Sequence, residues 1–148
     1  MAGMRYVVVA IALVVFLGIS FLVARVLSAD SRERSDVADL MRAQARGDAD
    51  AMLRQLTGCT SDPRCARRVR ANVAELRRPG AVKLVRFDPS TTFALDEGTA
   101  PARVVWNTTA VRRPVVQCVI VRRTGDVFSG PGVELRYVSG PRPGTSSC

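Results

Sequence analysis

The chain has 148 residues, with 22 Lys and Arg against 13 Asp and Glu, four Cys and no His, for a formal net charge of +9. Without His, Ser/His/Asp and Cys/His nucleophile arrangements are excluded, and the usual general base near neutral pH is missing. The cysteine spacing fits neither finger nor ribbon zinc sites, nor a C-x-x-C redox motif, so no metal or cofactor is expected.

The first predicted element is the uncharged run from Tyr6 to Ala24, 19 residues between Arg5 and Arg25. As a helix it rises about 28 Å, close to the thickness of a hydrocarbon core. Tyr6, Val15, Phe16, Phe21 and Ala24 are the membrane-facing residues expected along it. The run is too long for a typical signal-peptide core, and the best cleavage site, Leu27-Ser28-Ala29 before Asp30, has Leu where a small residue is wanted. Residues 1–29 therefore read as an uncleaved signal anchor, with cleavage as the competing reading. The flanking arginines Arg25, Arg32, Arg34, Arg42 and Arg46 would place the body in the cytoplasm by the positive-inside rule. The cysteines argue for the opposite side. They carry more weight, because the chain is Arg-rich throughout and long domains cross membranes largely regardless of charge.

Residues 30–148 hold 20 basic and 13 acidic side chains, enough chain for one small domain. Arg is spread over predicted helices, strands and loops with a single Lys, Lys83, which reads as the bias of a high-GC bacterial genome more than as a built patch. Asp30 to Arg34 is expected to be a charged linker. Ser35-Asp36 then caps a helix whose face is Val37, Leu40, Met41 and Gln44, ending at Gly47. Asp48 starts a second short helix with Ala49, Met52, Leu53 and Leu56 inward, stopped by Gly58. Arg46-Gly47-Asp48 spells an adhesion signature, but a helix stop followed by a helix start accounts for all three residues. Asp62-Pro63 starts a third helix to about Arg77, with Ala66, Val69, Val73 and Leu76 as its apolar stripe.

After Pro79-Gly80 the period changes to that of strands: 82–87, a short 91–95, 102–111, 115–123 and 133–138, with a loop at 96–101 and a fragment at Val127-Phe128. The 115–123 strand is apolar on both faces and is expected to be central. In the last strand Val133, Leu135 and Tyr137 are expected on one face. Asn107-Thr108-Thr109 matches a glycosylation sequon inside a predicted strand. The fold class is α+β: a transmembrane helix, then two or three helices packed on a curved antiparallel sheet of four to five strands. The domain spans 35–138 and a Pro/Gly-rich tail spans 139–148. Four cysteines allow three connectivities. The preferred one joins Cys59 to Cys65 across a short loop and Cys118 to Cys148, stapling the tail to the central strand.

The segment Met41-Arg42-Ala43-Gln44-Ala45-Arg46-Gly47-Asp48, the Cys59 and Cys65 turn and the strand Pro114-Val115-Val116-Gln117-Cys118-Val119 resemble the cystatin-like folds of the nuclear transport factor 2-like superfamily. Within it, the chain looks like small actinobacterial proteins with one membrane anchor. The resemblance covers roughly residues 35–138. It implies one of three uses: ketosteroid isomerases and SnoaL-like cyclases with a conical pocket, small-molecule binders, or assembly modules such as scaffold subunits of type IV secretion systems and proteins associated with mammalian-cell-entry transporters.

An enzyme of that kind needs a carboxylate in an apolar pocket. Asp88, Asp96, Glu97 and Asp126 fall in turns or loops, Glu134 alternates with an apolar set, and Asp36 and Asp48 are explained as caps. Trp106 and Tyr137 are the candidate pocket residues. The expectation is a non-catalytic extracytoplasmic binding or assembly module on a membrane anchor, with a membrane or envelope protein as partner. The alternatives are a small-molecule-binding or isomerase-like protein, and a basic domain contacting anionic lipid or polymer. No nucleic-acid partner is expected.

Overall fold

From Ile19 to Arg46 the sequence contains no Gly or Pro, and nothing in it stops a helix. In a computed structural model that describes residues 2–89, 98–124 and 132–148, Ala2–Arg46 form one helix of 45 residues, α1. The linker expected at 30–34 is a continuation of that helix, and Ser35-Asp36 lies within it instead of capping a new one. The backbone amides there are already bonded in the helix, so the side chains have no cap to make. Gly47 ends α1 with φ +85°, a left-handed turn that favours glycine, and the amides of Gly47 and Asp48 bond back to Gln44 O and Ala43 O.

Asp48 caps α2 (Ala49–Gln55) by accepting from the Ala51 amide, and Asp62 caps α3 (Pro63–Leu76) by accepting from Arg64, as local sequence rules require. The Cys59–Cys65 disulfide closes the turn between these two helices. Val37, Leu40, Met41, Met52, Leu56, Val69 and Leu76 are buried between helices and sheet.

The sheet is an antiparallel meander of β1 (Val82–Asp88), β2 (Gly98–Thr108), β3 (Val115–Thr124) and β4 (Gly132–Val138), in spatial order β1-β2-β3-β4. The expected strand at 91–95 and the Val127-Phe128 fragment lie outside the described residues. β2 begins at Gly98, inside the expected loop. Its partner β3 is long, and Pro101 lies beyond the end of β1, where among the described residues the strand has a neighbour on one side only. Two bulges reset side-chain direction. One makes Val85 the extra residue of β1 and leaves it 58% exposed. The other lies opposite Ile120/Val121, where Leu135 pairs with Val121 and Tyr137 with Ile120. Leu135 therefore faces the helices and Tyr137 the opposite side, in contrast to the single face expected.

β3 is central, and its two apolar faces have different covers. Val115, Gln117, Val119 and Val121 meet the helices. Val116 and Cys118 on the outer face lie under the C-terminal tail. That tail is held by the Cys118–Cys148 disulfide, by the Arg142 amide on Val116 O, and by Arg103, which donates to Gly144 O and Ser146 O. The disulfide closes 30 residues of chain, for which loop entropy alone gives about 3.5 kcal/mol. Cys148→Ser is expected to cost about 3 kcal/mol and to speed amide exchange in 139–148. A loss below about 1 kcal/mol with unchanged exchange would contradict the stapled tail.

Candidate functional site

Tyr6–Ala24 is long and apolar enough to cross a membrane by length and composition, and none of it is buried against the rest of the chain. Tyr6, Val15, Phe16, Phe21 and Ala24 are all exposed along it, which rules out the role of a core helix for this domain. Nine residues beyond Ala24, about 13 Å further along the helix axis, the same helix enters the domain at Glu33. The apolar span and the domain's central helix are one continuous rod.

The junction is held by charge. The Arg123 guanidinium, at the end of β3, donates from Nη2 to Asp30 Oδ1 at 2.6 Å and to Glu33 Oε2 at 2.7 Å, and from Nε to Glu33 Oε2 at 3.0 Å. Glu33 is 0% exposed. Burial works against the Arg123 cation, but the hydrogen bonds to Glu33 and Asp30 outweigh it and raise its pKa. Local sequence rules miss Glu33 and Arg123, because a charged residue in a charged stretch gives no sign of turning inward. The signal available in the sequence was the helix-compatible composition of 30–34.

Deeper in the core, Gln44 and Gln117 pair their amides reciprocally. Gln44 Nε2 donates to Gln117 Oε1 at 2.9 Å, and Gln117 Nε2 donates to Gln44 Oε1 at 3.2 Å. Trp106 Nε1 donates to the same Gln117 Oε1 at 2.8 Å. Gln117 Nε2 and Asn72 Nδ2 both donate to Ser139 O at 2.9 Å. This network ties α1, α3, β2, β3 and the segment after β4 together, and the buried amides it contains are satisfied by one another. Trp106 is thus a fully buried core residue on the helix-facing side. Tyr137 lies on the outer side of the sheet, so the two do not share a cavity.

Among the described residues, open grooves lie on both sides of α1. On the β4 side, Asp36, Asp39, Arg46, Gln55, Thr57 and Glu134 line a polar groove of about 350 Å³. Burial, and then the neighbouring Asp39 charge, raise the pKa of Asp36. A carboxyl shifted in this direction adds stability at low pH, and that contribution is lost as pH rises through its folded value. Asp36→Asn is therefore expected to raise Tm slightly at pH 7 and to leave it unchanged at pH 3. A lower Tm at pH 7 would contradict this assignment. On the β1 side, Arg34, Arg42, Lys83, Ala38, Val82 and Leu84 border a shallower groove of about 520 Å³. Asp39 is bonded to Arg42 across the helix surface. Among the described residues no group of three His, Cys, Asp or Glu is placed to hold a metal ion. The buried carboxylate, Glu33, is held in its ion pair.

Comparison of the chain with protein families, with curated proteins and with solved structures finds no match.

Proposed function

We propose that this chain is a non-catalytic membrane-anchored module that holds a disulfide-stapled α+β domain outside the cytoplasm for contact with a membrane or envelope partner. The observation that carries the reading is the unbroken course of α1 from the apolar span into the core, where residues of its last four turns are buried. A helix that is both anchor and core element fixes the domain's height and tilt over the bilayer. That restriction raises its effective concentration toward a neighbouring membrane partner.

Two further features support the extracytoplasmic side and an uncleaved anchor. All four cysteines are paired, as suits an oxidising compartment. The helix also runs through Leu27-Ser28-Ala29, where a cleaved signal would need accessible, unwound backbone. The interior surface that a conical pocket would occupy is filled by Trp106, Gln44 and Gln117, which favours contact over turnover. Crosslinking of the full chain in its native membrane, followed by purification, tests the proposal. A stoichiometric membrane or envelope protein recovered with the chain is expected. A domain recovered free of membrane, with no crosslinked partner, would overturn it.

A further inference from the structure

The segment from Pro143 to Cys148 crosses the outer face of β3 toward β2, and little in its own chemistry holds it there. It contains no Val, Leu, Ile, Met or aromatic side chain, and every residue in it except Ser146 is exposed. Chain of this composition buries too little apolar surface to stay ordered unaided. It is fixed to the sheet by the Arg103 guanidinium, which donates from Nη2 to Gly144 O at 2.6 Å and from Nε to Ser146 O at 3.1 Å. The other fixing point is the Cys118–Cys148 disulfide. The segment is a strap whose closure depends on one covalent bond.

The two disulfides stand in different surroundings. Cys59 and Cys65 are 1% and 6% exposed and belong to the core between helices and sheet. A thiol from solution cannot reach either sulfur without opening that core. Cys118 lies on the opposite face of the sheet and is buried there, but its partner Cys148 is exposed. The second bond therefore has one reachable end. Its buried end has a cation beside it, because Arg142 Nη1 lies 3.5 Å from Cys118 Sγ. Negative charge forming on a buried sulfur needs a partner, and a neighbouring guanidinium supplies one. Thiol–disulfide exchange is fastest where the attacked sulfur is accessible and the departing sulfur is stabilised as thiolate. Cys148 meets the first condition and Cys118 the second.

We propose that the Cys118–Cys148 disulfide is a redox-operated strap, opened at Cys148 by an external dithiol protein, whose release uncovers the outer face of the sheet. A thiolate of the dithiol attacks Cys148 Sγ. The Cys118–Cys148 bond breaks, its electron pair leaves on Cys118 Sγ beside Arg142, and a mixed disulfide remains at Cys148. The second thiol of the dithiol then displaces Cys148 as thiolate. The dithiol is oxidised to a disulfide by two electrons, and its two protons end on Cys118 and Cys148. Without the bond, the Arg103 contacts alone must order the strap against its chain entropy. Val116 and Cys118, 5% exposed in the closed form, then join Ile120 and the 37% exposed Tyr137, its cross-strand partner, on one apolar surface. Reoxidation closes the strap again, since the rest of the fold holds Cys118 in place.

The test uses the full oxidised chain in phosphatidylcholine nanodiscs, with dithiothreitol as the dithiol and glutathione as a monothiol. Alkylation and peptide mass spectrometry then assign each cysteine. Cys118–Cys148 is expected to open about ten times faster than Cys59–Cys65, with the glutathione adduct on Cys148 and the free thiol at Cys118. Amide exchange across 142–148 is expected to rise on opening while the buried Trp106 keeps its native fluorescence. Arg142→Ala is expected to slow opening about threefold and Arg142→Lys to restore most of the rate. Arg103→Ala, which removes the other fixing point of the strap, is expected not to slow it. Cys59–Cys65 opening as fast, glutathione on Cys118, unchanged exchange after opening, or Arg142→Ala opening at the wild-type rate would overturn the proposal. None of these readings depends on a membrane partner, so they stand or fall apart from the anchored-module reading.

Discussion

Arg123→Ala is expected to destabilise the domain by about 3–5 kcal/mol, the cost of removing one member of a buried ion pair. Asp30 is half exposed and regains water, but Glu33 is 0% exposed and would lose its two bonds to the guanidinium without water to replace them. The loss is a large share of the about 5–15 kcal/mol that holds a small domain folded. Because the desolvated charge is the source of the cost, adding Glu33→Leu to Arg123→Ala should restore much of the stability, since an apolar replacement of a buried pair is often neutral. The chain has a single Trp, Trp106, buried in the domain, so urea unfolding of the full chain in detergent can be followed by its fluorescence without interference from the span. A cost below about 1 kcal/mol for Arg123→Ala, or strict additivity of the two substitutions, would contradict the role assigned to the junction.

Gln117→Ala is the second large effect, at about 3–5 kcal/mol. It removes the acceptor of Trp106 Nε1 and the partner of both Gln44 amide atoms, and opens a void between sheet and helices. Gln44→Ala should cost less, because Gln117 Oε1 keeps Trp106 and Gln117 Nε2 keeps Ser139 O. Gln117→Leu should fall between the two, filling the void but still leaving the Trp106 N–H unpaired. Chemical denaturation of the three variants measures the order. A Gln44→Ala cost equal to or above that of Gln117→Ala would contradict the network.

The parts of this fold governed by neighbouring residues were legible in the sequence. Asp48 and Asp62-Pro63 start helices, Gly47 stops one, alternation marks the strands, and the apolar character of both faces marks β3 as central. The parts governed by distant partners were not. A charged stretch at 30–34 reads as a linker until Glu33 meets Arg123, 90 residues away in sequence. Tyr137 sits on the outer side because Arg136 is an extra residue opposite Ile120/Val121, a bulge that simple alternation within β4 does not reveal. Arginines spread evenly along the sequence look like composition bias. Only the fold separates those paired along α1 and the sheet from those left open on α3.

In the proposed module, α1 remains intact as anchor and core element while the domain folds in an oxidising compartment. Mass spectrometry under non-reducing conditions, on the chain recovered from carbonate-washed native membranes, reads both parts at once. A membrane-retained chain that still includes Tyr6–Ala24 is expected, with Cys59 linked to Cys65 and Cys118 linked to Cys148. A chain that begins near Asp30 in the soluble fraction, or four reduced cysteines at the membrane, would contradict it.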